Sequence, residues 1–159
     1  MTEYLSEEPG NILKSPASNS IQSSLNGLLQ SEQLIDENRY FCHICSSLQP
    51  AEAKYNLLSV GNYLIIQIKR FTFQLNISSK DITLIKCSEP LSVPISKEHE
   101  VSVNKQYQLS AVINHSGTLN SGHYWSLVKH NNKWVHCNDK AVILCSPASI
   151  DCKNSFVFV

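Results

Sequence analysis

Two short runs rich in aromatic and β-branched residues, Tyr124-Trp125-Ser126-Leu127-Val128 and Lys133-Trp134-Val135-His136-Cys137, are separated by little more than His130-Asn131-Asn132. So short a turn-forming interval predicts an antiparallel hairpin. No other feature constrains the chain as much, because a hairpin returns the end of its second strand beside the start of its first. Gly122 and His123 precede the first run, and Asn138 and Asp139 follow the second. Histidine and amide/carboxylate are therefore expected at one end of one sheet. A thiol protease needs that pairing: an imidazole takes the thiol proton, and a carboxylate or amide orients the imidazole. Gly122 removes bulk just before the histidine, as a channel for an extended substrate tail would require. Taken alone, Gly-His also fits a partly buried hairpin histidine.

The residues around this hairpin predict more sheet. Asn62 to Phe71 is a β-branched run that reads as a central, doubly covered strand, with Lys69-Arg70 as its solvated end. Thr83-Leu84-Ile85, Leu91-Ser92-Val93 and Gln106 to Ile113 predict further strands, and the chain closes on Phe156-Val157-Phe158-Val159. Trp125 and Trp134 read as hairpin core or cross-strand partners. Earlier, apolar residues at 21, 25, 28 and 29 have helical spacing, with Asn19 or Ser20 as cap and Gly27 as a weak point. Residues 1–19, with Pro9-Gly10 and Ser15-Pro16, read as a flexible leader. The sum is an α+β chain weighted towards β, with a mainly antiparallel sheet and no internal repeats.

Charge excludes some partners. Thirteen basic and thirteen acidic side chains balance, so neither nucleic acid nor an anionic membrane is expected. The acidic start lacks an apolar signal region, and no window approaches the ~20 apolar residues of a membrane span. An intracellular protein of cytoplasm or nucleus is expected, with its six cysteines reduced. Among them, Cys42-His43-Ile44-Cys45 is one half of a tetrahedral zinc site, since such a turn aims both sulfurs at one ion. His43, Cys87, Cys145 or Cys152 are candidates to complete it, although none has the paired spacing. The alternative is two free structural thiols. Thioredoxin-like redox chemistry is disfavoured, because the knuckle does not lie in a βαβ pattern.

Tyr107-Gln108-Leu109-Ser110-Ala111-Val112-Ile113-Asn114-His115-Ser116-Gly117 with Ser121-Gly122-His123-Tyr124 resembles the histidine box of ubiquitin-specific proteases. Lys133-Trp134-Val135-His136-Cys137-Asn138-Asp139 is similar to the continuation of that box. Tyr63 to Phe71 resembles the family's strand ending in Lys-Arg-Phe. The resemblance covers residues 20–159 and implies the palm of a papain-like cysteine protease with part of a fingers subdomain. By it, His123 is the general base, Asn138 orients it, and Asp139 occupies the adjacent acidic position. His115, Gly122 and Tyr124 are implied contacts of the substrate tail, with His115 in a loop. The family's zinc ribbon makes Cys42 and Cys45 its second knuckle, and no earlier cysteine supplies the first.

The resemblance also implies a nucleophile in an Asn-x-Gly-Asn-Thr/Ser-Cys-Tyr segment opening a helix, where the thiolate is stabilised. None of the six cysteines has that setting, so thumb and Cys box are expected to be missing. The implied activity is thiol-dependent hydrolysis of isopeptide bonds at the C-terminus of ubiquitin or a ubiquitin-like protein. This chain is expected to be inactive alone. Two alternatives stand beside that: a working deubiquitinase whose other half lies on a longer product, and a non-catalytic module that binds ubiquitin or another protein. No cofactor is required, and zinc is implied only as half a site.

Overall fold

The computed structural model describes residues 4–5, 12–16, 20–74, 77–87, 90–96, 103–146, 150 and 153–159. Most of the expected leader, Asn19 as a helix cap, and Cys152 lie outside the described residues. A seven-stranded sheet dominates. In chain order its strands are β1 (Ile12–Pro16), β2 (Ile65–Lys69), β3 (Ala111–Gly117), β4 (Gly122–His130), β5 (Lys133–Asn138), β6 (Ala141–Cys145) and β7 (Ser155–Phe158). In space they run β6-β5-β4-β3-β7-β2-β1. Every neighbouring pair is antiparallel except β1 and β2, which are parallel. The two hairpin arms, part of the run from Asn62 to Phe71 and the end of the run from Gln106 to Ile113 thus share one mainly antiparallel sheet. Leu91–Ile95 pairs with Val103–Tyr107 in a separate two-stranded sheet, and β1 comes from the segment expected as leader.

Helix α1 (Ile21–Leu28) is capped by Ser20, whose hydroxyl accepts the Ser23 N–H at 3.1 Å. Its buried residues, Ile21, Ser24 and Leu25, form one face, as the apolar spacing predicts. Eight residues are too few to hold a helix by propensity, so packing holds this one. The Gln22 amide is bonded both ways to the Ser92 backbone at 2.9 and 3.0 Å. That ties α1 to the strand Leu91–Ile95. Ile21 and Leu25 join Ile66, Ile68, Val93, Val112 and Phe158 in one core. Each such side chain contributes roughly 1.5–3 kcal/mol by leaving water.

Four sequence expectations need correction. Gln106 to Ile113 is not one strand. Val103–Tyr107 pairs with Leu91–Ile95, and the chain then crosses to β3. At the crossing Ser110 leaves the ladder, its N–H and hydroxyl both donating to the Val159 carbonyl at 2.7 and 2.9 Å. Asn62 to Phe71 is broken at Arg70, and β2 lies one strand in from the β1 edge. Ile66 and Ile68 are buried while Ile65 and Gln67 are half-exposed, so β2 is fully covered on one face only.

Thr83-Leu84-Ile85 is not a strand, and its first carbonyl is held by the Arg70 side chain. Arg70, read as a solvated strand end, is 0% exposed. The backbone kinks there, with Arg70 N–H on the Ile68 carbonyl at 2.9 Å, and the side chain turns inward. Its Nη1 donates to the carbonyls of Asp81 and Thr83 at 2.9 and 3.0 Å, and its Nε to that of Ser155 at 2.6 Å. A planar fork of five donors suits three carbonyls held at fixed angles.

Arg70→Met should therefore lower stability by about 3 kcal/mol, since it orphans several buried carbonyls at once. The loss is read as a lower urea midpoint at unchanged slope, with Arg70→Lys recovering only part.

Candidate active site

The hairpin of β4 and β5 is closed by two residues. His130 pairs with Lys133, and Asn131 and Asn132 both have positive φ, 47° and 62°. That is the type I′ geometry whose twist suits a hairpin, and asparagine tolerates it better than most residues. The ladder then sets Ser126 opposite Cys137 and Leu127 opposite His136. Continuing it brings the far end of β5 beside the start of β4. His123 Nε2 lies 2.6 Å from Asn138 Oδ1. An amide oxygen only accepts, so Nε2 carries the hydrogen and donates it. In neutral His123 the Nδ1 lone pair is then the basic atom. Trp125 lies parallel to the imidazole, with centroids 6.1 Å apart and 19° between planes. Asp139 occupies the next turn, exposed and in the left-handed region at φ 49°. The arrangement can accept a proton at one oriented nitrogen.

His115 is in β3, not in a loop, and is 3% exposed. Its ring packs on Tyr124 at 4.4 Å between centroids, with Phe71 at 5.6 Å and Phe156 at 6.2 Å. Paired residues share a sheet face and successive residues alternate. Tyr124 pairs with His115, and His123 with Ser116, so Tyr124 and His123 face opposite sides. The His115 N–H donates to the Asn154 carbonyl at 2.8 Å, and Lys80 Nζ donates to the His115 carbonyl. Burial, and then the Lys80 cation, hold the imidazole pKa below its ordinary value.

Gly122 has a reason internal to the fold. A Cβ there would collide with the His115 ring and the Ser116 carbonyl. His115 thus fills the space beneath the backbone that carries His123. Phe71, Phe156 and Lys80 complete this support and were not singled out from the sequence. Of these, the Lys-Arg-Phe motif was a signal for Phe71.

The face bearing His123 holds other groups that sequence reasoning missed. Asn114 pairs with Trp125, so it shares that face, and it is 0% exposed. Neither its Nδ2 nor its Oδ1 has a hydrogen-bond partner, and His136 Nε2 on the same face also lacks one. Desolvated polar atoms are costly, and such atoms commonly mark a functional region.

The described cysteines lie elsewhere. Cys137 pairs with Ser126, on the face opposite His123. Cys145 pairs with Trp134, towards the other end of the hairpin. Cys42 and Cys45 are free thiols on the hairpin of Tyr40–Cys42 and Ser47–Gln49. Backbone N–H groups of Cys45 and then Ile44 donate to the Cys42 sulfur and hold its pKa below the ordinary thiol value. Among the described residues no three His, Cys, Asp or Glu side chains gather as metal ligands. Two thiols by themselves do not make a closed four-ligand zinc site.

Two measurements test the support under His123. Unfolded His115 takes a proton near pH ~6.5, while the folded ring resists it. Its contribution to stability is therefore complete above that pH and falls away as pH drops below it. His115→Phe should flatten this pH dependence by up to one proton in the slope of unfolding free energy. Gly122→Ala should cost about 2 kcal/mol or more, because backbone must move. It should also shift the His123 imidazole NMR signals, which Gly27→Ala, with open space around it, leaves in place.

Comparison with known proteins places the fold and the family. A family model described as ubiquitin carboxyl-terminal hydrolase matches residues 16–159. Ubiquitin carboxyl-terminal hydrolase 4 of Arabidopsis thaliana is 31% identical over 132 residues, 82% of this chain and 36% of that protein. Human ubiquitin carboxyl-terminal hydrolase 17 is 29% identical over 149 residues, 89% of this chain and 27% of its own length. The chain thus spans about a third of the length of these relatives. Among solved structures, a chain of the yeast SAGA DUBm with an Sgf73 mutant superposes with TM-score 0.75 at 25% identity, covering 92% of this chain and 34% of that one. A chain of the SAGA Ubp8/Sgf11/Sus1/Sgf73 DUB module bound to ubiquitin aldehyde gives 0.67 at 23%, with the same coverage, and supports the fold alone. This chain belongs to the ubiquitin carboxyl-terminal hydrolase family, within the catalytic-domain region of the ubiquitin-specific proteases.

Proposed function

We propose that this chain supplies the palm of a ubiquitin-specific protease, binds ubiquitin by its C-terminal tail, and carries the imidazole half of the catalytic machinery without a nucleophile. One observation carries the proposal: His123 Nε2 is held on Asn138 Oδ1 at 2.6 Å. In this reading His123 is the general base, Asn138 fixes its tautomer, and Asp139 assists from the adjoining turn. A cysteine thiol would pass its proton to Nδ1, and the thiolate would attack the carbonyl of ubiquitin's C-terminal glycine. The imidazolium would return that proton to the leaving lysine amine, and water would cleave the thioester. His123 and Asn138 serve only the proton transfers.

Cys137 turns away from His123, and no cysteine in the sequence follows an Asn-Gly-Asn-type turn opening a helix. Removing the nucleophile from such a unit costs several orders of magnitude in rate. The location is proposed to be the cytoplasm or nucleus, where ubiquitin conjugates are found. No helix among the described residues is long and apolar enough to cross a membrane.

Two assays test the proposal. NMR titration with ubiquitin should shift the signals of Gly122, His123 and Asn138, and ubiquitin lacking its C-terminal glycines should not. Unchanged spectra at saturating ubiquitin would remove the binding claim. With a fluorogenic ubiquitin amide the chain should show no turnover above buffer. Turnover abolished by His123→Ala would show that a competent thiol is present, and replacing each cysteine would identify it.

A further inference from the structure

Between α1 and one end of the main sheet lies a solvent-open cavity of about 450 Å³. Its floor is apolar, made by Ile21 of α1, Leu64 just before β2, Ile66 within β2 and Phe158 of β7, all more than nine-tenths buried. One wall is a polar strap. Lys105 Nζ donates to the Gly61 carbonyl at 2.8 Å and to the Val60 carbonyl at 3.4 Å, and the Tyr107 hydroxyl also donates to the Gly61 carbonyl. The Lys105 ammonium lies 5.4 Å from the centre of the Tyr107 ring. These bonds fasten the 60–62 loop to the strand Val103–Tyr107, so the wall stands without a ligand. A concave apolar space of this size, with a few polar groups at its edge, suits a small molecule.

The lining sets the charge of that molecule. Lys86 and Lys105 border the cavity, and none of the described residues around it is Asp or Glu. The first turn of α1 also borders it and carries no acidic side chain, so no carboxylate there offsets the positive end of the helix dipole. An anionic head is attracted to this rim and a cationic one repelled. The strands beneath set its shape. Within the main sheet β2 lies between β1 and β7, and β7 between β2 and β3, so no free edge of that sheet offers hydrogen bonds to a peptide backbone. A peptide laid on the floor would leave its own amides unpaired, whereas a hydrocarbon tail has none to pair.

We propose that this cavity binds a single-tailed aliphatic monocarboxylate, with its carboxylate between Lys86 and Lys105 and its tail over Ile21, Leu64, Ile66 and Phe158. An ammonium has three hydrogens, and the Val60 and Gly61 carbonyls take two of those on Lys105. Ser110 borders the cavity, whereas His123 pairs with Ser116, so ~20 Å of chain along β3 separates the two sites. Binding here does not depend on the proposed function.

The test titrates the full chain with decanoate, kept well below its micelle concentration and followed by amide NMR. Signals of Ile66, Leu109 and Phe158 should shift saturably, at one site per chain, while those of His123 and Asn138 stay in place. From hexanoate to decanoate, each added methylene should tighten binding about fourfold. Decyltrimethylammonium, with the same tail and the opposite charge, should bind about tenfold more weakly or worse. Lys86→Glu should weaken decanoate by about the same factor, and Lys86→Arg should retain it. Both variants should keep the melting temperature, because Lys86 is exposed. Equal affinity for the two head groups would overturn the proposal, and this comparison uses the unaltered chain, so it decides the matter even if a variant unfolds. So would the lack of a saturable shift, or shifts centred on the exposed apolar residues of β6 or on Ile44. Concentration-dependent shifts of the cavity signals without ligand would also overturn it, by showing that a second copy fills the space.

Discussion

The registration of β4 between β3 and β5 governs the candidate site, because side-chain direction alternates at every residue of a strand. With Leu127 opposite His136, the residues His123, Trp125, Asn138 and Asn114 all fall on one face. A slip of one residue in the β4–β5 ladder would send one member of the His123–Asn138 pair to the other side, and one in the β3–β4 ladder would part both from Asn114. Two turns hold the register against slipping. Asn131-Asn132 closes β4 to β5 with both residues at positive φ, and Asp139-Lys140 closes β5 to β6 with Asp139 at φ 49°. Side chains that accept such backbone angles at low cost occupy the positions where those angles are needed.

Beneath the site, polar groups are buried in two different ways. Arg70 is costly to desolvate, yet its donors meet carbonyls of β7 and of the 81–83 segment, and the fork holds these together where no ladder does. His115 follows the opposite logic, with a neutral ring packed among Phe71, Tyr124 and Phe156 as if it were an aromatic spacer. The first relies on hydrogen bonds to a permanent cation, and the second on staying uncharged. Both place rigid material behind the strand that carries His123, and Gly122 is the point where that material comes closest to the backbone.

The far edge of the sheet has a different character. Val142, Ile143 and Leu144 of β6 are well exposed, one β-branched or aliphatic side chain after another on the last strand. Asn114 is buried without partners on the face that bears His123. The relatives are about three times as long as this chain. The proposed division of labour, with imidazole here and thiol elsewhere, is consistent with a face whose polar atoms are not fully satisfied from within.

How much of this was legible beforehand depended on the distance over which each interaction acts. The hairpin and the helix face follow from residues a few positions apart, so sequence alone determined them, while the cap was narrowed to Asn19 or Ser20 and the structure chose Ser20. The pairing of His123 with Asn138 was legible for the same reason, since one two-residue turn connects their strands. What the sequence could not place were groups whose partners lie far along the chain. Arg70 looks like a solvated strand end until residues 81, 83 and 155 surround it, and His115 looks like a loop residue until Phe156 closes over it. Gln106 to Ile113 has an unbroken β pattern, yet it splits because two sheets compete for its ends. Local backbone preference wrote the strands and turns. Only tertiary packing decided which polar side chains were taken out of water, because that depends on which distant carbonyls and rings arrive to replace it.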